Sequence, residues 1–145
     1  MAMKNNKEKN LPEILLITSY PPRECGIATF SQDLLSALHN KFAQSFAHSV
    51  CALEAAQEKH DYPPEVRYVL ETSEPQSYQD LIEAIHLDDG IKLVLLQHEF
   101  GFFAALPEID FLHFLQQIPK PLILAFHTVL PNPNEALKTK VRDMA

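Results

Sequence analysis

The sequence predicts an α/β domain with three layers: a mostly parallel sheet of about five strands in the middle and helices on both faces. Two observations carry this. Short apolar runs recur along the chain, several of them uninterrupted, as in strands buried on both faces of a sheet. Between them lie stretches whose apolar residues recur at helical spacing, and strands alternating with amphipathic helices build a covered parallel sheet.

Residues 1–12 are polar and aperiodic and read as a flexible lead, which leaves 13–145 for the domain. Residues 13–18 (Glu-Ile-Leu-Leu-Ile-Thr) form the first expected strand, and the prolines and glycine of Tyr20–Gly26 break it. A helix follows with Ile27, Phe30, Leu34, Leu38 and Phe42 on one face. Phe46–Leu53 and Val66–Leu70 are the second and third strands. Ser77 and Asp80 resemble a capping box that opens a helix over Tyr78–Leu87. Asp88, Asp89 and Gly90 end it, and Ile91–Gln97 is the fourth strand. Ala104–Ile118 has helical spacing with Pro107 in its first turn, and Leu122–Phe126 is the last strand. Asn132, Pro133 and Glu135 resemble a helix start: a cap, a proline at the first position and an acid at the third. The arrangement reads as Rossmann-like.

Composition narrows the function. Hydrophobic residues make up 46% and charged residues 21%, a globular balance. A net charge of -7 argues against a nucleic-acid partner, which needs a clustered basic face. No apolar run approaches the roughly 18 residues of a membrane span, no secretory signal is visible, and two cysteines make no disulfide framework. A cytoplasmic location is the default expectation.

In parallel sheets ligands lie outside the carboxyl ends of the strands, near the switch in strand order. Three turns qualify. The first, Ser19–Gly26, leads into a helix whose N-terminus suits a phosphate or carboxylate. There Gly26 permits close backbone approach and Arg23 offers a charged fork; the alternative is a rigid turn with a glycine at the helix start. The second, Gln97–Gly101, places His98 and Glu99 just past a strand, suited to orienting a sugar hydroxyl, moving a proton or binding a metal, or else to satisfying a loop. The third, Phe126–Pro131, puts His127 at the corresponding position on the next strand. Thr18, Ser19 and Thr128 offer hydrogen bonds to a hydroxyl-rich ligand or to their own loops. Cys25 sits at a helix start, where a thiolate is favoured, without an evident base; Cys51 reads as core.

Three stretches together resemble the retaining glycosyltransferases of family 4, also called group 1, which have a GT-B fold of two Rossmann-like domains. Residues 17–30 (Ile-Thr-Ser-Tyr-Pro-Pro-Arg-Glu-Cys-Gly-Ile-Ala-Thr-Phe) look like the family's first strand, glycine loop and first helix. Residues 97–101 (Gln-His-Glu-Phe-Gly) are similar to its His-Glu segment, and Phe126–Thr128 to its Phe-His-Thr. The resemblance implies the N-terminal, acceptor-side domain of a hexosyltransferase that uses a UDP- or GDP-sugar without a metal. Gly26, with Arg23, would lie near the donor phosphates. His127 would lie near the transferred sugar as the catalytic candidate, and His98, Glu99 and Thr128 would line the substrate cleft.

Two departures stand out: Gly26 lies between Cys25 and Ile27 where the family often pairs glycines, and Phe102–Leu106 replaces a glycine-rich run of some relatives. The family's donor site lies mainly in a C-terminal domain, with a basic pair and a Glu-rich motif that have no counterpart here. The expectation is therefore negligible turnover by this chain alone, since transfer depends on holding donor and acceptor together. Phe100, Phe102 and Phe103 are expected as an exposed patch that promotes self-association.

The competing readings are weaker. A dinucleotide-dependent oxidoreductase lacks its G-x-G-x-x-G, and a serine hydrolase its G-x-S-x-G. A phospho-acceptor domain lacks acids at the first strand end. A metal site from His98, Glu99 and His127 fits no local metal motif. The alternative that stays open is a non-catalytic binding or interaction module on the same fold.

Overall fold

The computed structural model describes residues 11–145. The expected flexible lead falls outside the described residues except for Leu11 and Pro12. Five strands form one sheet: β1 (Glu13–Thr18), β2 (Ala47–Glu54), β3 (Val66–Glu71), β4 (Ile91–His98) and β5 (Leu122–Phe126). All four pairings are parallel, and the order is β3-β2-β1-β4-β5. The order therefore reverses between β1 and β4, which opens the crevice where such sheets bind ligands.

Alternation along β1 sends its residues to opposite sides. Leu15 and Ile17 join a large core with the helices α2 (Pro75–Leu87), α3 (Glu108–Gln117) and α4 (Glu135–Met144). Leu16 joins a small core with Tyr20, Val50, Ala52 and Leu35, the last from α1 (Gly26–Phe42). Three helices thus cover one face and a single helix the other, the three-layer arrangement expected. Leu15, Ile17, Leu53, Leu70 and Leu96 are fully buried, and each such side chain contributes about 2 kcal/mol of transfer free energy.

The helices depart from expectation in four places. α1 buries Ala28, Ser31 and Leu35, one residue round from the predicted stripe, while Phe30 and Phe42 are 49% and 37% exposed. The cause is close packing: small residues let α1 approach β1, where the hydroxyls of Thr18 and Ser31 lie 2.7 Å apart and are both fully buried. α2 begins at Pro75, so Ser77 is no cap; its hydroxyl accepts from the Glu71 amide instead, and proline fills the first turn. α3 is shorter than expected. Phe100–Phe103 forms its own 3-10 turn, and Pro107 stands at the N-cap position of α3 rather than inside it. The cap of α4 is Asn134, whose side chain accepts from the Leu137 amide at 2.8 Å, two residues after the predicted Asn132.

The 3-10 turn also removes the expected exposed patch. Phe103 is 5% exposed and stacks on Phe111 with ring centroids 4.4 Å apart, while Phe100 and Phe102 are half-buried against the same core. Exposed apolar surface lies elsewhere, at Phe30, Ile123, Val129 and Leu130 among others. Among the described residues no helix is long and apolar enough to cross a membrane.

Candidate functional site

The carboxyl ends of β1, β4 and β5 bring the predicted residues to one edge, and side-chain parity then sorts them. On β4, Val94 and Leu96 point into the large core, so Leu95 and Gln97 face the side of α1. Gln97 is 1% exposed, and its Oε1 lies 2.5 Å from the Nε2 of His127 just past β5. An amide oxygen only accepts, so the proton in this contact lies on Nε2, and Nδ1 makes no hydrogen bond to any described residue. The His127 amide donates to the His98 carbonyl at 3.0 Å, which extends the ladder past β5 and fixes the backbone beneath the ring. Phe30 of α1 meets the ring edge-on, with centroids 5.1 Å apart.

Beside this pair, Glu99 is held from two sides. Its Oε1 accepts from the Phe100 amide at 3.1 Å and its Oε2 from the Thr128 hydroxyl at 2.5 Å. No cation pairs with it among the described residues, so the carboxylate keeps unused acceptor capacity. His127, Gln97, Phe30, Leu34, Leu95, Ala125 and Phe126 line an open cavity of about 360 Å³ between α1 and the β4–β5 half of the sheet.

The first turn closes largely on itself. Ser19 Oγ lies 3.0 Å from Cys25 Sγ, and that sulfur caps α1 by accepting from the Ala28 amide at 3.4 Å. Thr18 and Ser19 are fully buried and spend their hydroxyls on these contacts, so they dock the loop to the helix. Gly26 is exposed at the first helical position, and a Cβ built there meets nothing within 4 Å. Open space in front of a helix N-terminus is compatible with an approaching anion. Arg23 donates to the Leu53 carbonyl at 3.3 Å and lies over the Phe102 ring at 5.5 Å, bracing the turn across the end of β2.

His98 is set apart from this group. It points to the opposite face, is 2% exposed, and has Phe100, Phe103, Phe111 and Phe126 around it, with centroids 4.8 to 6.0 Å away. Burial, followed by the positive charge of Lys140, pushes its pKa down from 6.5 to about 4, against the opposing pull of Glu99. The imidazole is neutral at ordinary pH. Cys51 is fully buried, and burial pushes its thiol well up. No group of three or more His, Cys, Asp or Glu side chains among the described residues is arranged to hold a metal.

Two participants were not singled out from the sequence: Gln97 as the partner of His127, and Phe30 as its aromatic neighbour. Period-two alternation puts Gln97 and Glu99 on one side and His98 on the other, which is the signal that finds Gln97. No such signal finds Phe30, because its role depends on where α1 crosses the sheet. Compared with family models, curated proteins and solved structures, the chain gives no match.

Proposed function

We propose that this domain forms the acceptor-side wall of a nucleotide-sugar-dependent, retaining glycosyltransferase cleft. The observation that carries the reading is that the His127–Gln97 pair, the Thr128–Glu99 pair and the open N-terminus of α1 all lie at the carboxyl edge of the sheet, beside the switch in strand order. Three features at this edge match what sugar transfer needs. A helix N-terminus faces open space, suited to a diphosphate. An imidazole held at Nε2 by Gln97 presents its other ring nitrogen to a sugar hydroxyl or to the developing charge near the anomeric carbon. A carboxylate and a hydroxyl add further polar contacts, and hydroxyl-rich ligands are recognised by such convergent groups.

In this reading Gly26 receives the donor phosphates, with Arg23 supporting the loop, and His127 contacts the transferred sugar. Glu99 and Thr128 contribute to the cleft wall. The donor is a UDP- or GDP-sugar, and the chemistry uses no metal. The protein's contribution to rate is to position groups and stabilise charge, both of which need the cleft closed around donor and acceptor.

Calorimetric titration with UDP, GDP and their common sugar conjugates tests this. Weak saturable binding to the wild type, about tenfold weaker in His127→Ala, is the expected result. No binding to the wild type would overturn it and leave the interaction-module reading. One observation favours that second reading: the β4–β5 half of the sheet is uncovered on the side of α1, where Ile123 and Phe30 are each 49% exposed.

A further inference from the structure

The aromatic cavity behind His98 lies on the other face of the sheet and stands independently of the transferase reading. His98 is 2% exposed, yet its ring nitrogens make no hydrogen bond with any described residue. Among the described residues no side-chain nitrogen or oxygen is both sealed from space and unpaired. The outlet for the imidazole is therefore the cavity its ring lines, a space of about 210 Å³ bounded also by Phe100, Phe103, Phe111, Leu106 and Lys140. The ring is thus open to this space, and a cavity of this size leaves room for a partner to be supplied.

Lys140 supplies the second observation. It is half-buried on α4, its ammonium lies 5.3 Å from the centroid of the Phe100 ring, and it makes no ion pair among the described residues. Glu108, exposed in the first turn of α3, also lines this cavity but makes no ion pair with Lys140. One cavity thus combines an unpartnered neutral imidazole, an unpaired ammonium held on an aromatic face, and flat apolar walls.

We propose that this cavity binds a small carboxylate carried on a flat apolar body. The carboxylate takes the Lys140 ammonium and an N–H of His98, and the body lies among Phe100, Phe103 and Phe111. Both unpartnered groups are donors to an anion, since lysine has no acceptor and a neutral imidazole always carries one N–H. The aromatic walls favour a planar body by stacking and area burial.

The probe is benzoate, compared with benzamide, its uncharged counterpart of the same shape, in a titration that follows the ring signals of His98 by NMR. Benzoate is expected to shift those signals saturably, and benzamide to bind about tenfold or more weaker, as expected when a charge-assisted contact is lost. Lys140→Met, at a half-buried position that leaves the core intact, is expected to make the two probes equivalent. A cavity that holds water alone gives no saturable shift with benzoate, and that result overturns the proposal. Equal binding of both probes to the wild type, or a benzoate preference unchanged in Lys140→Met, also overturns it.

Discussion

His98 and His127 end neighbouring strands and are joined by a backbone hydrogen bond, yet they live in opposite surroundings. His127 faces the side of α1, half-exposed, with Nε2 engaged by Gln97 and a ring edge against Phe30. His98 faces the side of α3 and α4, buried among phenylalanines at the edge of a small cavity, with its proton affinity depressed. The same residue type at the same sheet edge thus provides a positioned, accessible imidazole on one face and a neutral buried group on the other. Side-chain parity at a strand end, rather than proximity to the edge, decides which histidine is available to a cleft ligand.

The largest expected effect is on the buried side. The folded pKa of His98 lies near 4 against 6.5 for an ordinary histidine. Its contribution to stability is therefore complete above pH 6.5 and is lost as pH falls toward 4, because the unfolded state binds the proton first. The shift corresponds to roughly 3 kcal/mol. Urea unfolding across this range should show the decline, and His98→Gln should flatten it. A smaller slope should persist from His48, whose pKa is also lowered by burial and by the charge of His39. An identical pH slope in the variant would break the contrast.

On the open side the expected effects fall on binding. His127→Ala and Gln97→Leu should each weaken nucleotide-sugar binding about tenfold, while changing stability by only about 1 kcal/mol, the ordinary worth of one hydrogen bond. Calorimetry beside thermal unfolding separates the two. Thr128→Val removes the hydroxyl that holds Glu99 and should cost about 1 kcal/mol of stability, measured by urea unfolding. The smallest effect belongs to Gly26→Ala. A methyl there meets no neighbour, so thermal unfolding should move by no more than about 0.5 kcal/mol.

The contrast also marks what the sequence made legible. Short apolar runs, several of them uninterrupted, located all five strands, β1 and β5 to the residue; β5 is nonetheless open on one face, with Ile123 49% exposed. The candidate edge followed from the general rule for parallel sheets. The face of α1 did not: a small-residue approach at Ala28 and Ser31, latched by Thr18, outweighed the larger apolar stripe. The caps of α2 and α4 were misplaced because Ser77 and Asn132 have the right chemistry, but Pro75 and Asn134 compete for the same role nearby. The two histidines looked alike in sequence because both follow apolar strands. The register sets them apart: His98 pairs with Phe126, so His127 stands one position further along and faces the other way.

The central claim is that the face carrying Gly26 and His127 meets the nucleotide sugar. An amide NMR titration with UDP-glucose and GDP-mannose tests it most directly, since it reports on both faces at once. The account predicts saturable shifts concentrated at Gly26, Ile27, His127 and Thr128, with Phe103 and Phe111 unmoved. Shifts confined to the His98 side, or none with either donor, would contradict it.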